Sequence, residues 1–178
     1  MALKRTSEII TISTGIKQAV VNAFEVAQVD LQLNPLDQEV FVVLAAKIDF
    51  LSDFPFVGTF TPGTHNGQAE IAITTTRPTT MPRISDSNCV AYSSVQTKAG
   101  VSATNELTAF AVLEQNAADT PDSNLDYLAI IATSDMFLSV DSLFSVANTE
   151  GAVRVYGYRA RADAAQYAAL VQSEVLSA

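Results

Sequence analysis

The stretch EVFVVLAAKIDF, Glu39 to Phe50, alternates along its whole length and decides the fold class. Its even-numbered positions, from Val40 to Phe50, are all apolar, whereas Lys47 and Asp49 fall among the odd-numbered ones. Such alternation is typical of a β-strand, because successive side chains point to opposite faces of a sheet. The stretch therefore predicts a long central strand with one buried face, and with a second face that becomes wet toward its end.

Further alternating stretches follow at short spacing between turn signals. VDLQLN, residues 29–34, precedes a predicted turn at Asn34-Pro35-Leu36-Asp37, and residues 63–67 form another, because Asn66-Gly67 readily adopts positive φ. Six more strands are predicted, at residues 68–76, 88–97, 106–115, 126–133, 136–143 and 152–162. The Thr/Pro-rich segment 74–88 reads as a strand end that leads into an extended loop. About eight or nine strands at this spacing are typical of a sandwich or barrel.

Two segments show helical spacing instead. Ile16, Val20 and Phe24 indicate a helix over residues 15–27, although its neighbours include β-branched residues. Asp163 predicts the N-cap of a second helix over residues 164–176. One side of that helix carries Tyr167, Leu170, Val171 and Glu174.

Length and composition predict one domain with more apolar surface than an ordinary globular chain. The 178 residues are enough for a core without staples, and 48% of them are hydrophobic against only 16% charged. The net charge of −9 repels phosphate backbones, and the Lys4-Arg5 pair is too short for a basic arm. We therefore expect no strong direct binding to nucleic acid.

The chain offers few signals for export or membrane insertion. Cys89 is the only cysteine, which excludes an intrachain disulfide. The first residues lack the apolar run of a secretory signal, and no stretch approaches the ~20 apolar residues of a membrane helix. We expect a protein without a membrane span that is made in a cytoplasm.

Several enzyme classes are excluded by counting. His65 is the only histidine, which rules out a His-rich metal site of the cupin type, and Cys89 alone cannot hold a zinc or Cys₄ site. The nucleophile elbow G-x-S-x-G and the glycine-rich phosphate loops do not occur. Paired carboxylates for glycoside hydrolysis stay open, but the absence of Trp weakens any sugar site. We predict no catalytic residue and no bound cofactor.

One acidic loop has oxygen ligands at alternating positions. Asp122, Asn124 and Asp126 would supply half of a calcium site, which a neighbouring subunit would complete. The alternative is a solvated turn before a strand.

The stretch GAVRVYGYRARA, residues 151–162, carries three of the ten positive charges of an acidic chain. Tyrosine and arginine are enriched at protein interfaces, so this surface predicts a contact with carboxylates of a partner. The alternative is that the arginines pair with the chain's own Asp and Glu. The interface candidates are Arg154, Tyr156, Tyr158, Arg159, Arg161 and Tyr167.

The pattern resembles that of the small single-jelly-roll capsid proteins of viruses. The resemblance lies in VDLQLNPLDQEVFVVLAAKIDF as an early strand pair, in TTTRPTTM, and in DYLAIIATSDMFLSV followed by GAVRVYGYRARA as closing strands. It implies an all-β antiparallel jelly-roll sandwich of about eight strands, with a short C-terminal helix. It further implies a non-enzymatic virion protein, made in the host cytoplasm, whose copies assemble into a shell, with other virion proteins as further partners.

The predicted elements divide the chain into three parts. Residues 1–28 form an N-terminal segment, residues 29–162 the sandwich and residues 163–178 the helix. Both terminal segments are expected to reach across subunits, so that loss of residues 164–178 impairs assembly and leaves a folded protein. Two competing hypotheses are a β-sandwich binding module for sugars or surface proteins, from a phage fibre or a cell surface, and a carboxylate-dependent enzyme.

Overall fold

The computed structural model describes residues 3–51, 62–104, 106–117, 125–145 and 147–176. These residues form ten strands, a short 3₁₀ turn (Pro35–Asp37) and one α-helix, α1 (Ala164–Leu176). The strands are β1 (Lys4–Arg5), β2 (Ile10–Lys17), β3 (Glu25–Asp30), β4 (Glu39–Phe50), β5 (Gly63–Thr74), β6 (Cys89–Val101), β7 (Leu107–Ala117), β8 (Ala129–Ile131), β9 (Asp135–Leu143) and β10 (Glu150–Arg161). Within these ranges, no helix is long and apolar enough to span a membrane.

The strands form two antiparallel sheets with jelly-roll topology. Sheet A has the order β2-β10-β4-β8, and β1 also pairs with β10. Sheet B has the order β3-β9-β5-β6-β7. The chain changes sheet at most connections, so that strands distant in sequence become neighbours, as in a pair of Greek keys. The predicted fold class is confirmed, and β7 adds a strand to the edge of sheet B.

The main core lies between the two sheets. Sheet A contributes inward-facing residues such as Phe41 and Val153, and sheet B contributes Ile71 and Leu138. All four have at most 2% of their surface exposed. The alternation in the sequence therefore marks one inner face for each sheet, as a sandwich requires.

A β-bulge in β4 corrects the prediction that its even-numbered residues share one face. Tyr156 pairs with Ala45 and Gly157 with Val43, so Leu44 has no partner on β10. Before the bulge the inner face carries Phe41 and Val43, and after it Ala46, Ile48 and Phe50. One extra residue reverses the side on which each later side chain falls. Lys47 and Asp49 are exposed, as predicted.

The C-terminal helix is confirmed, with Asp163 as its N-cap: Asp163 Oδ1 accepts from the Gln166 backbone N at 2.8 Å. The helix packs on the outer face of sheet A, over Val40 and Val42, so the first half of β4 is buried on both faces. Its Glu174 is buried, and the carboxylate accepts from the backbone N of Ala132 at 2.7 Å and of Thr133 at 3.0 Å. We therefore revise the expected effect of removing α1, which would uncover apolar surface of its own chain.

The helix predicted over residues 15–27 is wrong. Its first residues belong to β2, which pairs with β10 from Ile10 to Lys17, and its last residues belong to β3. The β-branched side chains of this segment favour a strand, and pairing with β10 decides the outcome. Strands of both sheets thus come from residues 1–28, and the sandwich begins before residue 29.

Two further expectations change. The predicted turn at residues 63–67 lies inside β5, where Gly63 to Gly67 pair with Val101 to Thr97, and only Gly63 has a positive φ there. The predicted early strand pair is split between sheets, because β3 pairs with β9 and β4 pairs with β10. The turn at Pro35–Asp37 and the loop that follows Thr74 are confirmed.

Candidate interface surface

Strand β10 lies at the centre of sheet A and presents two different faces. Val153 and Val155 point inward and are buried, whereas Arg154 on the outer face is exposed. Gly157 lies against the ring of Phe41, where an added Cβ would come within 2.5 Å of Phe41 Cζ. The close approach explains why glycine stands at this position.

Two of the predicted interface arginines are engaged by their own chain. Arg161 forms an ion pair with Asp37, and its Nε donates to the Asp37 backbone O at 2.9 Å. Arg159 donates through Nη2 to the Leu31 backbone O at 3.1 Å. For Arg161 the alternative interpretation, pairing with an acid of the same chain, is the one that the structure shows.

Two of the three candidate tyrosines also have contacts within their own chain. The Arg5 guanidinium lies 4.9 Å from the ring centroid of Tyr158, on the surface that α1 partly covers. Tyr167 packs against the same apolar cluster and donates its hydroxyl to the Ala132 backbone O at 3.4 Å. Tyr156 is half-buried on the outer face, opposite Thr11 of β2 and Ala45 of β4.

Arg154 stands in a different environment from the other arginines of β10. It lies directly opposite Lys47 of β4 and Ser13 of β2, and its Nε donates to Ser13 Oγ at 3.3 Å. In the described ranges neither Arg154 nor Lys47 forms an ion pair with a carboxylate. A groove of about 540 Å³ opens beside them, and Gly15, Asp49 and Ala152 also line it.

A second groove runs between α1 and sheet A. It has a volume of about 650 Å³. The rings of Tyr127 and Tyr158 line it together with the polar side chains of Asp126, Asp163 and Gln166. The groove therefore combines ring faces with hydrogen-bonding groups.

The calcium candidates are only partly placed. Asp122 and Asn124 lie outside the described residues, and Asp126 is exposed at the second groove. Among the residues with described positions, no group of three metal-ligating side chains comes together. The calcium site stays a prediction.

An open edge of sheet B is formed by β7, which pairs with β6 on one side and has no strand on its other side within the described ranges. Leu107 and Leu113 are each about half exposed, at 50% and 53%, and Val112 is exposed at 43%. An exposed apolar edge strand is a template for pairing with another chain.

The turn between β9 and β10 presents another apolar side chain. Phe144 is 74% exposed and has a φ of 56°, a conformation that is strained for a bulky residue. Asn22 holds the next residue in place, because its Oδ1 accepts from the Ser145 N at 2.8 Å and its Nδ2 donates to the Ser145 O at 3.1 Å. The buried Gln18 accepts from the Thr149 N at 2.9 Å. The strained Phe144 is thus set in a hydrogen-bonded turn.

No protein-family model matches the chain, and no curated protein matches its sequence. Among solved structures, VP1 of Trichodysplasia spinulosa-associated polyomavirus superposes with a TM-score of 0.44 and 9% identity, over 90% of this chain and 99% of that chain. Merkel cell polyomavirus VP1 in complex with GD1a oligosaccharide gives 0.43 and 10%, over 90% and 98%. The unassembled KI polyomavirus VP1 pentamer gives 0.43 and 10%, over 92% and 99%.

The chain resembles polyomavirus VP1. The likeness is of the kind that the sequence pattern predicted, to viral capsid proteins with a jelly roll. The likeness concerns the fold, since only 9 to 10% of the aligned residues are identical.

Sequence reasoning missed a buried polar cluster on the outer face of sheet B. Glu70 of β5 is 4% exposed, and it accepts hydrogen bonds from Arg83, in the loop after β5, and from the Tyr92 hydroxyl. Arg83 Nη1 also donates to Tyr92 Oη at 2.8 Å. Burial, together with the hydrogen bond to Glu70, raises the pKa of Tyr92. The only sequence signal was a lone Glu in an apolar strand, since Arg83 follows no periodic pattern.

Proposed function

We propose that the chain is a structural subunit of a virus capsid, whose copies assemble into a shell, and that it catalyses no reaction. Jelly rolls occur in capsid proteins, lectins and cupins, so the fold alone leaves the choice open. The single histidine of the chain, His65, argues against a cupin metal site. The absence of Trp argues against a typical lectin site.

The observation that carries this proposal is the open apolar edge of β7. Proteins that stay monomeric protect their sheet edges with charges, prolines or covering segments. The sequence of β7, LTAFAVLEQNA, has one ionisable residue and no proline, and Leu107 and Leu113 are half exposed. Contact with other copies would remove this apolar surface from water. The exposed Phe144 adds a second apolar contact at the β9–β10 turn.

The proposal implies a place and a set of partners. The subunit belongs in the virion after synthesis in the host cytoplasm, among copies of itself and further virion proteins. Its net charge of −9 favours these contacts over direct binding to a genome. Calcium at the Asp126 loop would act between subunits, so assembly should be compared with and without it.

The first test measures assembly of the purified chain by light scattering coupled to size exclusion, with negative-stain microscopy of large fractions. We expect capsomers or closed particles. Leu113→Lys places a charge on the exposed edge and should shift the chain toward monomer without unfolding it. Leu36→Lys is the matched control, because Leu36 is 91% exposed on the turn before β4.

A wild-type chain that stays monomeric at all concentrations, with and without calcium, would contradict the capsid role. Equal assembly of the two lysine variants would instead show that the β7 edge is not the contact.

The groove beside α1 favours a second candidate, a binding module for sugars or for a surface protein. Tyr127 lines this groove together with Asp126, Asp163 and Gln166, which offers the stacking and hydrogen bonding that a saccharide uses. Binding of a glycan by the monomeric chain, lost in Tyr127→Ala, would support this candidate over the shell.

A further inference from the structure

Arg154 and Lys47 form a pair of like charges on neighbouring strands. They lie directly opposite each other on β10 and β4, where side chains of an antiparallel pair are in closest reach. Like charges in such positions are destabilising unless an anion stands between them or next to them. The sheet thus carries a local electrostatic cost that no direct ion pair among the described residues offsets.

Arg154 and Lys47 differ from four other cations of the chain, which do find a carboxylate partner. The chain has 19 carboxylates against 10 Lys and Arg. Arg5, Lys17, Arg83 and Arg161 each form an ion pair within the chain. In the described ranges Arg154 has only the neutral hydroxyl of Ser13 as a partner.

The surroundings of this pair leave room for an incoming group. Helix α1 covers only the part of sheet A that carries Val40 and Val42, and the part around Arg154 stays open. Gly15 and Ala152 line the groove with almost no side-chain bulk. Asp49 also lines it but makes no ion pair with either cation.

We propose that this groove is an interface site that binds a carboxylate-bearing surface of a second copy of the chain. The occupant follows from charge complementarity, because each copy has a net charge of −9 and therefore offers exposed carboxylates, while it repels other copies at long range. Lys47 and Arg154 together with Asp49 give the groove one net positive charge, and the two cations have hydrogen-bond donors left for one incoming carboxylate. The site rests on the proposed shell function and gives it a specific polar contact, separate from the apolar edge of β7.

The contact should be sensitive to salt and to charge reversal. We expect the difference in assembly between the wild type and the Arg154 and Lys47 variants to shrink as salt rises, because the pair is exposed and screened. Arg154→Glu and Lys47→Glu should each weaken association about tenfold or more, measured as the midpoint concentration of assembly by light scattering. Arg77→Glu is the matched control, since it makes the same change in net charge at an exposed arginine in the loop after β5.

Circular dichroism of each variant checks that it is folded. If the glutamate variants unfold, Arg154→Gln is compared with its control Arg77→Gln in their place. If the wild type assembles and the Arg154 and Arg77 variants have equal midpoint concentrations of assembly, this site is overturned and the shell function is left intact. A wild type that never assembles would overturn both. Weakening confined to Arg154 and Lys47 variants would establish the site.

Discussion

Gly157 lies where the central strand of sheet A passes the ring of Phe41, and the ring leaves no space for a side chain at this position. A Cβ at this position would lie 2.4 Å from the Val42 backbone O as well as against the ring. The backbone oxygen belongs to a paired strand and cannot move away without breaking hydrogen bonds. A single missing side chain therefore allows β4 and β10 to pair beside the bulge.

Gly157→Ala should lower the free energy of unfolding by about 2 to 3 kcal/mol through overpacking. Gly15→Ala is the matched control on the neighbouring strand, because its nearest atom, the Gly151 O, lies at an ordinary 3.4 Å. Urea denaturation of both variants measures the difference. Equal losses at the two positions would mean that the contact with Phe41 is not what requires glycine.

Asp141 gives a prediction on pH at the same scale. Burial raises the pKa of Asp141, and the charge of Glu70 on the neighbouring strand raises it further. The hydrogen bond from the Ser142 N–H and the charge of Arg83 lower this pKa, but burial outweighs them. The ionised form is the disfavoured one in the fold, so this group stabilises most in acid, and that contribution is lost as pH rises through its folded pKa.

We therefore expect Asp141→Asn to raise the thermal midpoint at neutral pH, while the gain shrinks at about pH 4, near the ordinary pKa of Asp. The asparagine Oδ1 can still accept from the Ser142 N. Thermal unfolding followed by circular dichroism at both pH values provides the measurement. A gain that is larger in acid would refute the assignment of the cost to ionisation.

At the scale of elements, α1 is tied to sheet A by one carboxylate as well as by apolar packing. Both hydrogen bonds from the backbone of Ala132 and Thr133 end on Glu174, at the point where β8 stops. The helix therefore satisfies the backbone donors of the two residues that follow β8, of which Ala132 is buried.

Glu174→Ala should destabilise the fold by about 2 to 3 kcal/mol, because hydrogen bonds to a charged group are lost and two donors are left unsatisfied. Glu174→Gln keeps an acceptor oxygen and should lose less. The free energies of unfolding from urea titration test the order. A glutamine variant as unstable as the alanine variant would show that charge, and not acceptance, is what the site needs.

Elements with regular alternation could be predicted from the sequence, and those set by distant pairing could not. The strand from Glu39 to Phe50, the strand β10 and the helix α1 follow from period and capping alone. The bulge at Leu44 leaves no local mark, because it depends on how β10 lies beside β4. Likewise the arginines of β10 were identified, but Asp37, which pairs with Arg161, is 124 residues away in sequence. Which arginine stays available is decided by tertiary structure.

At the scale of the whole molecule, the proposed apolar contact and the proposed charged contact lie on different surfaces. The apolar edge of β7 belongs to sheet B, and the Arg154 groove lies on the outer face of sheet A. Two different contacts on one subunit would serve the proposed shell, since each copy in a closed shell must meet several neighbours. The assembly tests described above separate the two proposed contacts, because one responds to Leu113→Lys and the other to charge reversal at Arg154.

The central place of β10 in sheet A has a consequence for the order of events during synthesis. Its partners β2 and β4 leave the ribosome early, yet neither can complete the sheet until β10 has been made. Pairing over such sequence distances makes folding slow. The groove uses Ser13, Lys47 and Arg154 from these three strands, so it forms only after β10 has paired with both partners. The proposed contact with a second copy through this groove therefore has to wait until β10 has been made and has folded onto β2 and β4.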